Sequence, residues 1–134
     1  LRSQRDIARA LQAAAEADLA LLGIGNLDPA QSGFVKGGFL TPEEVATLRE
    51  SGAVGDIAGR IITAAGALHG NGYDDRIIGI GLEQLRRIPK TLAVAAGVEK
   101  TSAIGGALRA GVVDILCTDD RTARAVLAME RQNG

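Results

Sequence analysis

The stretch Thr91-Leu-Ala-Val-Ala-Ala-Gly-Val-Glu-Lys100-Thr-Ser-Ala-Ile104 constrains this 134-residue chain more than any other. An apolar run rich in branched residues meets Gly97, Lys100 follows three residues later, and an alanine-rich segment comes next. That order reads as strand, tight turn, helix. Such a turn aims backbone N–H groups and one ammonium at a common point, which is a natural anion site. Gly111-Val-Val-Asp-Ile-Leu-Cys-Thr-Asp-Asp120 then reads as a second buried strand running into a capped helix. Together they form a βαβ unit, and βαβ units build parallel sheets.

The rest of the chain extends that pattern. Residues 3–17 carry Ile7, Leu11, Ala14 and Ala15 at helical spacing. Leu19-Ala-Leu-Leu-Gly-Ile24 is a short, blocky apolar run, which reads as a strand buried on both faces. Residues 25–40 form a long Gly-containing loop with Phe34 and Phe39 as its anchors. Thr41-Pro42-Glu43-Glu44 starts a helix: Thr41 caps, Pro42 takes the first helical position and Glu44 completes a capping box. Residues 53–66 read as a Gly-punctuated strand, residues 66–72 as a turn, and Arg76-Ile-Ile-Gly-Ile80 as a further strand. A short helix runs from Leu82 to Arg87 and stops before Pro89, and a last helix runs from Asp119 or Asp120 to about Glu130. The parallel strands are then 19–24, 91–96 and 112–117, and residues 53–80 make a hairpin or small antiparallel extension. The fold class is α/β.

Composition narrows the function. Aromatic residues are only 2% of the chain, so the core must be filled by Ala, Leu, Ile and Val from the 46% that is apolar. A net charge of −1 and the lack of any Lys/Arg-rich run argue against direct nucleic-acid contact. One cysteine excludes an internal disulfide and suits a reducing compartment. No apolar run approaches the ~20 residues of a membrane span, and no signal peptide is visible. The chain opens at Leu1, in a polar, helix-like segment, and reads as a fragment.

Open α/β sheets bind ligands beyond the carboxyl ends of their strands. Three such ends are Gly25-Asn26, Gly97 to Lys100, and Thr118 to Asp120. Lys100 is either a phosphate ligand or a solvated turn lysine. Asp56, between two glycines, is either a carboxylate for ligand hydroxyls or a turn residue. Gly23-Ile-Gly25-Asn-Leu-Asp28 lacks the third glycine of a dinucleotide fingerprint and reads as a turn. His69, the single histidine, reads as a surface residue at a turn tip, and Cys117 as a core thiol. Asp119 and Asp120 read as helix caps. Arg86 and Arg87 read as a solvated helix face or part of a subunit interface. No His, Cys or carboxylate cluster has metal-ligand spacing. Gly105-Gly106 falls inside a helix at a cost of roughly 1 kcal/mol each, which implies close approach of another backbone.

Five ordered blocks carry a resemblance. They are Ala20-Leu-Leu-Gly-Ile-Gly25; Gly52-Ala-Val-Gly-Asp-Ile-Ala-Gly59; Asp75-Arg-Ile-Ile-Gly-Ile80 with Leu82-Glu-Gln-Leu-Arg-Arg-Ile-Pro89; Val94 to Ile104; and Val113-Asp-Ile-Leu-Cys-Thr-Asp119. The pattern resembles the C-terminal sugar-binding domain of SorC-type bacterial transcriptional regulators, over nearly the whole chain. The resemblance implies a Rossmann-like three-layer sandwich with a largely parallel sheet, similar to the glucosamine-6-phosphate deaminase and ribose-5-phosphate isomerase fold. It implies a non-catalytic, cytoplasmic effector domain that binds a phosphorylated sugar, uses no cofactor or metal, and assembles as a dimer or tetramer. Operator DNA would be held by a separate N-terminal helix-turn-helix domain. Residues 1–134 would be the C-terminal part of the effector domain, without its earlier Gly-Gly-Thr phosphate loop. The resemblance places Lys100 in the family's Gly-Gly-x-x-Lys phosphate motif, here Ala96-Gly97-Val98-Glu99-Lys100, with Ala96 standing where the motif has its first glycine. Asp56 takes an acidic position near the sugar, and Gly25 and Asn26, at the end of the first parallel strand, are expected in the same effector site. The alternative is a sugar-phosphate isomerase or deaminase of the same fold class, which needs a positioned acid or base.

Overall fold

Five strands and six α-helices follow from these patterns in a computed structural model that describes residues 4–70 and 72–134. Residue 3 of the expected first helix and Asn71 of the expected turn lie outside the described residues. The order is α1 (Arg5–Ala15), β1 (Leu19–Asn26), α2 (Gly33–Lys36), α3 (Pro42–Glu50), β2 (Ala53–Ile57), β3 (Arg60–Thr63), α4 (Leu82–Arg87), β4 (Lys90–Val94), α5 (Thr101–Arg109), β5 (Ile115–Cys117) and α6 (Asp120–Asn133). One sheet holds all five strands in the order β3-β2-β1-β4-β5. The pairs β1–β4 and β4–β5 are parallel, and β1–β2 and β2–β3 are antiparallel. This is the expected α/β architecture: a parallel set extended by one antiparallel hairpin.

Local chemistry places the joints. The Thr41 capping box forms: Glu44 N–H donates to Thr41 Oγ1 at 3.1 Å, and Thr41 N–H to Glu44 Oε2 at 2.8 Å. Asp114 sets the entry to β5, because its carboxylate accepts from Thr91 N–H at 2.7 Å while its own N–H donates to Thr91 O at 2.9 Å. The main core lies between one sheet face and α4, α5 and α6, with Ile24, Ile57, Ile62, Leu85, Ala93, Ile104 and Val126 in it. A second cluster on the other side of the hairpin joins Ile61 and Ala53 to Val45 and Leu48 of α3 and to Leu27 and Leu40. Each fully buried Ile or Leu contributes about 1.5–3 kcal/mol.

The mid-helix glycines have separate reasons. A Cβ on Gly106 would stand 2.7 Å from Thr63 O, so the strand backbone does approach there. Gly105 instead makes room for the end of the Met129 side chain from α6.

Several expectations change. Residues 53–66 are not one strand but a two-residue hairpin, with Ala58 at φ 52° and Gly59 at φ 77°. Positive φ at both central residues matches the twist of the flanking strands, as in a type I′ turn. Residues 76–80 form no strand. A 3₁₀ turn spans Tyr73–Arg76, and the carbonyls that a ladder would need are taken by Arg60. Its buried guanidinium donates to Ile80 O at 3.2 Å, Asp74 O at 3.0 Å and Gly79 O at 2.8 Å. The loop after β1 contains α2, and Phe34 packs against the second cluster, whereas Phe39 stays 72% exposed. Nor is β1 buried on both faces. Leu19 and Leu21 are 58% and 68% exposed, and Val94 and Ile115 on neighbouring strands share that open face. Cys117 is exposed there, not a core thiol. Arg86 is tied down, its Nε donating to Ala110 O at 3.0 Å and its guanidinium paired with Glu83.

Candidate functional site

The chain leaves β1 toward β2 and leaves β4 toward β5, on opposite sides, so the strand order reverses between β1 and β4. A crevice opens at such a switch point. Lys100 crosses it: its Nζ donates to Ile24 O, near the end of β1, at 3.0 Å. The ammonium is thereby fixed over the strand end by a residue 76 positions away.

Asp56 reaches the same place from β2. It pairs with Gly25 across the antiparallel ladder, and its carboxylate lies over Gly25, where a Cβ would collide with it. Asp56 Oδ2 also accepts from Gly59 N–H at 3.3 Å and so braces its own hairpin turn. Burial pushes the Asp56 carboxyl above the ordinary carboxylate range, opposed by that N–H and by the Lys100 charge. Gly25, Asp56 and Lys100 are therefore one cluster.

The remaining sequence-selected residues divide. Asn26 is buried and organises the loop that follows it: its Oδ1 accepts from Asp28 N–H at 3.2 Å, and its Nδ2 donates to Gln31 Oε1 at 3.4 Å. Ala96 and Val98 are exposed at the turn. Gly97 has φ +123°, in the region that favours glycine. Its N–H is not offered to a ligand, because it donates to Thr122 Oγ1 at 2.8 Å. Lys100 N–H returns to Gly97 O at 3.0 Å, and Thr101 N–H returns to Val98 O. The N–H groups of Val98 and Glu99 open the helical turn and have no acceptor within it. Those two, with the Lys100 ammonium, are the turn's anion donors. The Glu99 carboxylate folds back over Gly97 and must swing aside for an anion. A cavity of about 430 Å³ adjoins the turn, lined by Asn26, Asp28, Arg49, Val54, Glu99 and Ser102.

The sequence reading passed over Thr122 and Arg49. Thr122 is three residues after the capping Asp119, whose Oδ1 accepts the Thr122 N–H at 2.7 Å. That capping pattern was legible; its hydroxyl reaching Gly97 was not. Asp119 is the N-cap of α6, and its carboxyl is held below the usual range by the Thr122 hydrogen bonds. His69 sits apart from the cluster, with Nε2 3.1 Å from Ser51 Oγ. Among the described residues no three His, Cys, Asp or Glu side chains converge as a metal site, and no helix is long and apolar enough to cross a membrane.

The fold is shared with known proteins. The family model described as "Putative sugar-binding domain" matches residues 1–128. The chain belongs to that family. Transcriptional regulator LsrR of Enterobacter sp. (strain 638) is 33% identical over 131 residues, covering 96% of this chain and 41% of that protein. A DeoR family transcriptional regulator from Listeria monocytogenes superposes with a TM-score of 0.86 at 30% identity, over 93% of this chain and 50% of that one. The full-length sorbitol operon regulator SorC from Klebsiella pneumoniae gives 0.82 at 26% identity, over 94% of this chain and 41% of that one. This chain thus spans about two-fifths to one-half the length of these relatives. The likeness to regulators of the SorC type drawn from the five sequence blocks is shown, and the fold goes with it.

Proposed function

We propose that this chain is the effector-binding domain of a bacterial transcriptional regulator, and that it senses a phosphorylated sugar at the β1–β4 switch point. One observation carries the reading: Lys100 Nζ is held on Ile24 O beside Asp56, with the Val98 and Glu99 N–H groups on the same turn. An ammonium with donors to spare and two helix-start N–H groups suit a phosphate, and the Asp56 carboxylate suits sugar hydroxyls. Residues 1–134 form the C-terminal part of the effector domain in this reading. Operator DNA is bound by a separate domain, the protein is cytoplasmic, and it works as a dimer or tetramer. The role in this reading is sensing rather than catalysis: Asp56 Oδ2 is engaged by Gly59 and the Glu99 carboxylate is folded over Gly97. The effector acts by binding one conformation of the regulator more tightly than another.

Lys100→Ala is the test. A charge-assisted hydrogen bond to phosphate contributes about 1.5–3 kcal/mol. Affinity for the tightest-binding member of a panel of pentose and hexose phosphates is expected to fall roughly ten- to a hundred-fold by calorimetry on the intact protein. Affinity for the matched unphosphorylated sugar should hardly change. Equal affinities for parent and variant would make Lys100 a structural brace on β1. An equal loss for the neutral sugar would mean that it shapes the site without reading charge.

A further inference from the structure

We propose that Thr122, on α6, is a positioning residue for the anion-binding turn, setting the direction of the Val98 and Glu99 N–H groups. The inference rests on the anion reading of the Lys100 turn, and it concerns a residue outside the Ala96–Lys100 motif.

The turn has few anchors. The β4 ladder ends at Val94, and Ala95 N–H makes the last strand-like bond, to Cys117 O at 3.1 Å. The next fixed point is Gly97, whose N–H donates to Thr122 Oγ1 at 2.8 Å. Gly97 cannot hold itself in place. Its carbonyl is held within the turn by Lys100 N–H at 3.0 Å, but without a Cβ it visits both signs of φ readily, so nothing in residue 97 itself fixes how the turn is set against α6 and the crevice. Rotation there would carry the following N–H groups away from the crevice that Lys100 spans.

Thr122 is built to prevent that. It is fully buried, and its backbone N–H is bonded to the capping carboxylate of Asp119 at 2.7 Å. One turn on, Val126 is in the main core. At the far end of the same helix, Glu130 pairs with Arg109 of α5. The hydroxyl therefore projects from a helix tied down along its length, and a rigid support is what a preorganised donor pair requires. The hydroxyl also bonds the capping Asp119 carboxylate, but only its bond from Gly97 N–H reaches the turn, so exchange at Gly97 separates the two roles.

Inorganic phosphate is the probe, titrated into the intact protein and followed at the Val98, Glu99 and Gly97 backbone amides by NMR. Thr122→Val and Thr122→Ala remove the acceptor, and Thr122→Ser keeps it. In the parent, phosphate is expected to shift the Val98 and Glu99 amides. Either acceptor-less variant that folds should bind phosphate about ten-fold more weakly, with faster hydrogen exchange at Gly97. Thr122→Ser should bind within about two-fold of the parent, since a buried hydrogen bond is the larger effect and it is retained. Parent-like phosphate affinity in the valine or alanine variant would overturn the inference while leaving the anion reading intact. Equal weakening in all three variants would also overturn it, by showing that the methyl group matters and the oxygen does not. No phosphate response at Val98 or Glu99 in the parent would remove the anion reading, and this inference with it.

Discussion

Ile61 and Ile62 are neighbours in β3, and both are buried. Leu21 and Leu22 are neighbours in β1, and only Leu22 is covered while Leu21 is 68% exposed. Both dipeptides are apolar pairs inside a strand, so their sequences alone do not separate them. The difference lies in what packs on the second face. At the hairpin, α3 and the segment from Leu27 to Leu40 bring Val45, Leu48, Leu27 and Leu40 against Ile61. Over β1, β4 and β5 the described residues supply helices to one face only, and Leu19, Leu21, Val94 and Ile115 remain open on the other. Asp56 pairs with both Gly25 and Ile61, so it stands on the seam between the covered and the open region. The candidate site therefore lies where the packing changes, which leaves a carboxylate half-buried and yet reachable.

The contrast is broken most directly by truncation on each side. Ile61→Ala is expected to cost about 2–5 kcal/mol, the range for emptying a packed core position. Leu21→Ala should cost about 0.5 kcal/mol or less, as surface substitutions do. Urea unfolding of both variants measures this. A Leu21→Ala loss as large as that of Ile61→Ala would show that the open face is covered in solution.

A smaller effect is expected from adding a methyl group. Gly106→Ala puts a Cβ 2.7 Å from Thr63 O, a backbone atom that cannot turn aside. Overpacking of this kind costs about 1–3 kcal/mol, which outweighs the helix-propensity gain of about 1 kcal/mol at its upper end. Gly23→Ala meets nothing within 4 Å on the open face, and its stability should be unchanged or slightly raised. Destabilisation at Gly23 equal to that at Gly106 would mean that the open face of β1 is as crowded as the contact of α5 with β3.

What the sequence revealed follows the range of the interactions. The Thr41 capping box, the Asp119 cap, the stop at Arg87 before Pro89 and the βαβ order are all decided within a few residues, and each was legible. The Ala58-Gly59 turn was missed because an alanine at φ 52° carries no turn signal. Residues 76–80 were misread because the Gly79 and Ile80 carbonyls are captured by Arg60, nineteen and twenty residues upstream. The burial of Cys117 and Leu21 was misjudged because a blocky apolar strand shows that it can be covered on two faces, not that it is. Within the site, Gly25, Asp56 and Lys100 were selected separately and lie together. Thr122 was passed over because it acts on Gly97 across 25 residues.

The smallest expected effect tests the seam itself. Burial raises the Asp56 pKa, and the Gly59 N–H and the Lys100 charge offset this only in part. A carboxyl whose folded pKa lies above its unfolded value binds its proton more tightly when folded. Its contribution to stability is then fully present below the unfolded pKa, roughly 4, and is lost as pH rises through the raised folded value. At neutral pH the ionised, half-buried Asp56 therefore works against folding. In Asp56→Asn the side-chain amide does not titrate, and its oxygen can still accept from Gly59 N–H. The expected outcome for Asp56→Asn is a stability relative to the parent that is flat below about pH 4, turns in favour of the variant as pH rises toward the raised folded pKa, and levels off above it. Urea unfolding of both proteins across that range measures it. If the variant instead loses ground as pH rises, the charged carboxylate is stabilised in place by Lys100. Asp56 and Lys100 would then be a structural ion pair closing the seam, not two groups held open for a ligand.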